Sequence, residues 1–182
     1  MRILFLGYKE NETTLIDFLK KRNHEVSWSI SKKFSPENFD LIISFGYRHI
    51  IEPDVIQKLS RPIINLHISY LPFNRGAHPN FWSHFENTPC GVTIHEIDEG
   101  VDTGKIIYRK QVKFYDSQTL RQSYRILLNT IESLFKKNIV EIEKFTYKTL
   151  QIDETGTYHN ANDLPEWVNW DLTIKDVKGR NE

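Results

Sequence analysis

LIISFGYRHIIEPDVIQKLSRPIINLH, residues 41–67, decides the fold. Leu41-Ile42-Ile43 is apolar at every position, and Ser44-Phe45-Gly46 closes the run. A short run without alternation reads as a strand buried on both faces, the habit of parallel sheets. Pro53 then opens a helix reaching Leu59, because the fixed φ and missing N–H of proline suit a first helical turn. Pro62-Ile63-Ile64-Asn65-Leu66-His67 is the next strand. Strand, helix and strand in succession make a βαβ unit, whose crossover sets the two strands parallel.

Upstream, Ile3 to Leu6 is another buried strand, ending at Gly7. Leu15, Ile16, Phe18 and Leu19 fall at helical spacing within Asn11 to Arg22, with Asn11 or Thr13 as the expected cap. Val26, Trp28 and Ile30 alternate as in a strand. Downstream, a helix is expected from Pro79 to Phe85, then paired strands over Val92 to Ile97 and Ile106 to Val112. A long helix follows from about Ser117, capped by Asp116 or Ser117. Its stripe is Leu120, Tyr124, Leu127, Leu128, Ile131, Leu134 and Phe135. Thr146 to Ile152 reads as a strand, and Leu164-Pro165-Glu166-Trp167 as a turn into a short helix. The pattern predicts an α/β fold with a mostly parallel sheet flanked by helices.

Composition bounds the function. The 182 residues suit one domain. Lys plus Arg and Asp plus Glu each number 24, so the net charge is zero, which speaks against a nucleic-acid partner. Cys90 is the single cysteine, so no internal disulfide forms. The apolar N-terminal run is too short for a signal peptide or a membrane span, and a cytoplasmic protein is expected. Asn11-Glu12-Thr13 matches a glycosylation pattern and is read as chance.

In open α/β sheets ligands sit beyond the carboxyl ends of the strands, here the turns after Gly7, Gly46 and His67. The last is the richest. Asn65 and His67 lie two apart on a strand and project to one face. An amide donates hydrogen bonds to a developing oxyanion. An imidazole moves a proton near neutral pH. Asp102 is the carboxylate expected to hold that imidazole, delivered by a loop that Gly100 and Gly104 make pliable. Asn65, His67 and Asp102 together form a set for nucleophilic attack on a carbonyl.

Asn65-Leu66-His67, Ser69, Leu71-Pro72 and Arg75-Gly76, followed by Gly91-Val92-Thr93 and Asp102-Thr103-Gly104, resemble the signature of folate-dependent formyltransferases. The resemblance covers Met1 to about Val140. Gly156-Thr157-Tyr158-His159 through Asp163-Leu164 is similar to a piece of small sugar formyltransferases. It implies a Rossmann-like catalytic domain over 1–140, and a C-terminal extension, 141–182, packing on the same domain. It further implies 10-formyltetrahydrofolate as donor and an amine as acceptor. Asn65 would stabilise the oxyanion, His67 would take the proton and Asp102 would orient it. Folate would lie against Tyr47, Arg48, His49 and Ile50 and against Asp98, Glu99, Gly100 and Val101.

Three acceptors recur in that family. Methionyl-tRNA formyltransferases add a C-terminal domain and a basic surface, which this neutral chain does not match. Glycinamide ribonucleotide formyltransferases carry a glycine-rich phosphate loop after the first strand. Here that loop is Gly7-Tyr8-Lys9-Glu10-Asn11-Glu12, with one glycine and two acids. A nucleotide-linked aminosugar is the leading expectation, with Trp82 stacking on a ring of it and Asn80 hydrogen-bonding it. A formyl-folate hydrolase and a non-catalytic folate- or nucleotide-binding domain are the alternatives from other classes. A homodimer is compatible with the sequence.

The remaining motifs read as structural. His78, His84 and His95 have no metal-ligand spacing and are assigned to surface or packing, so no metal is expected. Arg75 is expected to shape its loop through carbonyl hydrogen bonds. Trp167 and Trp170 fit either an interface or packing on their own domain.

Overall fold

The computed structural model describes residues 1–181. In chain order the elements are β1 (Arg2–Gly7), α1 (Leu15–Lys21), β2 (Glu25–Ser29), β3 (Leu41–Phe45), α2 (Pro53–Gln57) and β4 (Ile64–His67). There follow β5 (Arg75–Gly76), α3 (Pro79–Phe85), β6 (Gly91–Glu96), β7 (Ile106–Gln111), α4 (Leu120–Lys144), β8 (Tyr158–His159) and α5 (Ile174–Lys178). Six strands form one sheet in the order β2-β1-β3-β4-β6-β7. The first four are parallel, while β6 runs antiparallel to β4 and to β7. The α/β class with a mostly parallel sheet is therefore what the molecule has.

The all-apolar strands are buried because both faces are covered. Ile3, Phe5, Ile43, Phe45, Ile64, Leu66, Val92 and Ile94 pack on one face against α1 and α4. On α4, Leu127, Ile131, Phe135, Ile139 and Ile142 recur at three- and four-residue spacing and are all buried. Burying a side chain the size of Phe135 stabilises the fold by about 2–3 kcal/mol. Leu4, Leu6, Ile42, Ile51 and Ile63 form the opposite core under α2. The alternation of β4 leaves Asn65 and His67 on this second face.

Several local expectations are corrected. Helix α4 starts three residues later than expected. Thr119 is its cap, accepting from the Gln122 N–H while the Gln122 side chain accepts from the Thr119 N–H. Helix α1 starts at Leu15, and the cap residue Thr14 makes no side-chain cap bond. Thr13, one of the two caps expected, accepts the Leu15 N–H at 3.2 Å, and Glu132, reaching over from α4, receives the hydroxyls of Thr13 and Thr14 and the Thr14 N–H. Thr146 to Ile152 is no strand. It runs past β7 in half-exposed extended chain, and its link there is Leu150 N–H to Ile106 C=O at 2.7 Å. After Pro165 the chain makes a turn, and α5 begins only at Ile174.

Helix α4 crosses position 140, where the extension was expected to begin. The chain beyond it folds back across α3 and the start of α4. Trp167 and Trp170 join Phe81, Trp82, Phe85, Leu120 and Val177 in a third apolar cluster, so both pack within their own chain. Leu120 N–H donates to Leu172 C=O and Arg121 N–H to Trp170 C=O, which stitches the segment to the helix.

Candidate active site

The segment 97–105 leaves β6 and crosses the face of β4 that carries Asn65 and His67. Gly104 is required there, because a Cβ would lie 1.9 Å from the Glu96 carbonyl oxygen. Asp102 itself adopts a left-handed φ of 51°. For a non-glycine residue this costs energy and persists only where surrounding contacts hold it. Those contacts are the Gly76 N–H, donated to Oδ2 at 2.9 Å, and Asn65 Nδ2, donated to Oδ1 at 3.3 Å. His67 Nε2 is 3.6 Å from Oδ2. The three residues expected to act together thus converge on one patch of the sheet.

The hydrogen bonds fix the protonation pattern. His67 Nε2 faces the Asn74 carbonyl at 3.4 Å as well as the Asp102 carboxylate, so this nitrogen carries the proton. The lone pair then sits on Nδ1, which has no hydrogen-bond partner among the described residues. Burial disfavours the imidazolium, and the neighbouring His95 adds to this. Together they outweigh the attraction of Asp102, so the His67 pKa lies below its usual 6.5 and the ring is neutral at neutral pH. Burial alone would raise the Asp102 pKa. The charge of a protonated His67 in the acid range and the Gly76 N–H overcome that and hold the carboxyl well below the usual carboxylate range. The site is a neutral base beside a fixed anion.

His95 belongs to this site and was missed. It is 1% exposed, as a packing histidine is, and it also sits opposite Asn65 in the β4–β6 ladder. Its Nδ1–H donates to the Glu96 carbonyl at 2.7 Å, which leaves Nε2 to accept from Asn65 Nδ2 at 3.0 Å. Its Nε2 is also 3.5 Å from Asp102 Oδ1. Both amide hydrogens of Asn65 are therefore engaged, the one toward Asp102 at the longer distance. Only the strand pairing reveals this, because thirty residues separate Asn65 from His95 in the chain.

Tyr47, Arg48, His49 and Ile50 follow β3 at its carboxyl end, next to the end of β4. Asp98 to Val101 form the outer turn of the crossing segment, where Asp98 receives the Gly100 N–H and the Thr103 hydroxyl. Glu99 accepts from Gln57 at 2.8 Å, tying this turn to α2, and Tyr47 and Ile97 pack on the same apolar cluster. The two segments thus border one side of the Asn65–His67 patch. Ile50 is 69% and Val101 37% exposed, apolar side chains left open in these two segments.

The two residues expected to hold the acceptor are both packed inside the chain. Asn80 is buried; its Nδ2 donates to Leu120 C=O and its Oδ1 accepts from Ser123. Trp82 is 8% exposed and stacked on His159 at 4.0 Å, so that ring face is taken. Both sit on α3, which packs against the C-terminal segment. Arg75 does shape its loop, through Nε to the Thr157 carbonyl at 3.5 Å. Among the described residues, no group of three or more His, Cys, Asp or Glu is placed to hold a metal ion. No helix among them is long and apolar enough to cross a membrane.

Comparison with known proteins places this geometry. The formyl transferase family model matches residues 9–137. The crystal structure of the formyltransferase PseJ from Anoxybacillus kamchatkensis, in complex with UDP-4,6-dideoxy-4-formamido-L-AltNAc and tetrahydrofolate, is similar over 100% of both chains. It aligns with a TM-score of 0.89 and 39% identity. Methionyl-tRNA formyltransferase from Clostridium tetani is 30% identical over 87% of this chain and 51% of its own length. The dTDP-4-amino-4,6-dideoxyglucose formyltransferase of Mycobacterium bovis is 25% identical over 79% of this chain and 60% of its own. This chain thus spans half to three fifths of these two curated relatives.

Proposed function

The chain belongs to the formyl transferase family, and from that premise we propose that it moves the formyl group of 10-formyltetrahydrofolate onto the amino group of a nucleotide-linked aminosugar. The observation that carries the chemistry is the convergence of Asn65, His67 and Asp102 with a lone pair left on His67 Nδ1. The acceptor class rests on the match to PseJ over the whole of both chains. The even charge balance favours a small acceptor over tRNA.

The neutral acceptor amine attacks the formyl carbon and forms a tetrahedral intermediate with a charged oxygen. Asn65 exchanges its long bond to Asp102 for that oxyanion, while His95 keeps the other amide hydrogen and so the side chain's orientation. His67 takes the proton that the attacking nitrogen sheds. It returns that proton to the departing folate nitrogen as the carbon–nitrogen bond breaks. Asp102 stays ionised throughout and stabilises the transient imidazolium. Tyr47 to Ile50 and Asp98 to Val101 line the donor side.

The test is to offer 10-formyltetrahydrofolate with nucleotide-linked 3- and 4-aminosugars, glycinamide ribonucleotide and methionyl-tRNA, and to read acceptor mass. A formyl gain on an aminosugar nucleotide, reduced about 10²- to 10⁴-fold in His67→Asn, is the expected result. A gain on glycinamide ribonucleotide or tRNA alone overturns the acceptor class. Free formate without acceptor gain makes the protein a hydrolase, and neither product leaves a binding domain.

A further inference from the structure

The catalytic pair is held by a loop that the C-terminal segment builds, and we infer that Thr157 is a positioning residue for the transfer reaction. The inference rests on the functional reading above. Residues 74–77 supply two of the contacts that orient the site. The Asn74 carbonyl receives His67 Nε2–H, and the Gly76 N–H donates to Asp102. Nothing in the sequence of that loop makes it rigid. Asn74 has a left-handed φ of 55° and Gly76 one of 86°.

Thr157 holds the loop from outside. The Asn74 N–H donates to Thr157 Oγ1 at 2.8 Å, and the same hydroxyl donates back to Asn74 Oδ1 at 3.2 Å. The Arg75 N–H donates to the Thr157 carbonyl at 3.0 Å. One turn of chain later the Ala77 N–H donates to the His159 carbonyl at 2.9 Å. Asn74 is fully buried, so its backbone N–H has no water to fall back on. The hydroxyl must accept and donate at once. Serine can do both, and valine, of the same shape as threonine, can do neither.

The route from Thr157 to the chemistry is short: one hydrogen bond to Asn74, whose carbonyl touches His67, and one peptide further to Gly76, whose N–H touches Asp102. A small displacement of a reacting group costs disproportionately in rate. The groups facing His67 are Asp102 from the crossing segment, His95 from β6 with ring centroids 6.3 Å away, and the Asn74 carbonyl. Loosening the loop admits water to His67 and relieves the burial that depresses its pKa.

Thr157→Val and Thr157→Ser in the full chain test this. Valine is expected to lower kcat about ten- to a hundredfold while the KM values for donor and acceptor stay within about threefold. Serine is expected to stay within about twofold of wild type, because it keeps the hydroxyl. The His67 titration midpoint, followed by NMR on the imidazole, is expected to rise toward 6.5 in the valine variant and not in the serine one. Wild-type kcat and midpoint in Thr157→Val, or a serine variant that falls as far as valine, overturns the inference. If wild type forms no formylated acceptor, the functional reading fails by itself. The His67 midpoint then decides Thr157 alone, and an unmoved midpoint overturns its role.

Discussion

Replacing Asp102 by asparagine removes one charge and changes almost no volume. In the folded protein the carboxylate lies 3.6 Å from His67 Nε2, with both side chains mostly buried. At an effective dielectric near ~20, unit charges at that distance attract by about 4–5 kcal/mol. The attraction matters only when His67 is an imidazolium, which is the state after proton transfer, so the loss falls on the transition state. Part of it is offset, because a neutral amide is easier to bury than an anion. A net penalty of about 2–4 kcal/mol remains, or about 30- to 1,000-fold in rate. The amide adds a geometric fault. Two carboxylate oxygens accept from Asn65 Nδ2 and from the Gly76 N–H, whereas an amide offers one acceptor and sets its NH₂ against the other donor. Release of tetrahydrofolate with acceptor at saturation gives kcat, and thermal unfolding confirms that the variant folds. A kcat within threefold of wild type in a folded Asp102→Asn protein refutes the assignment of Asp102 as the group that stabilises the imidazolium.

Three further outcomes follow from the structure. Because burial depresses the His67 pKa below 6.5, kcat/KM is expected to stay level through neutral pH and to fall only as pH drops through that lowered value. Stability follows the same sign, since the unfolded chain takes up protons first. The contribution of His67 is intact above 6.5 and that of Asp102 above 3.8, and each is lost toward acid; an acid limb centred above 6.5 contradicts the burial argument. Asn80→Ala is expected to lower stability by about 1–3 kcal/mol, because it strips partners from the Ser123 hydroxyl and the Leu120 carbonyl. It is expected to leave the acceptor KM unchanged, and a KM raised tenfold without loss of stability would return Asn80 to the acceptor site.

The sheet was readable because its signals are local. Runs such as Leu41-Ile42-Ile43 state their burial on both faces, and a proline at Pro53 or Pro79 marks the helix that follows. The same locality explains the errors. At helix α1 the Thr13 hydroxyl accepts the Leu15 N–H, as its position suggests, but Thr13 and Thr14 are themselves held by Glu132, more than a hundred residues along the chain, which no reading of Asn11 to Thr14 finds. Thr119 competes with Asp116 and Ser117 as a cap, and only the pairing with Gln122 separates them. Asn80 and Trp82 look like ligand residues because polar and aromatic side chains next to a motif invite that reading. Which residues of a seven-residue helix are buried depends on what packs against it, and here the C-terminal segment does.

Residue type and strand period alone determined the α/β class and the shared face of Asn65 and His67, and they pointed to the chemistry proposed for Asn65, His67 and Asp102. Tertiary structure decided the rest. The neutral state of His67 comes from burial, which is a sum over distant segments. The orientation of Asn65 comes from His95 across an antiparallel pairing, and the loop under Asp102 is held by Thr157 from the far end of the chain. Side-chain period is a property of neighbours in sequence, whereas desolvation and hydrogen-bond partners belong to neighbours in space, which the fold alone assigns.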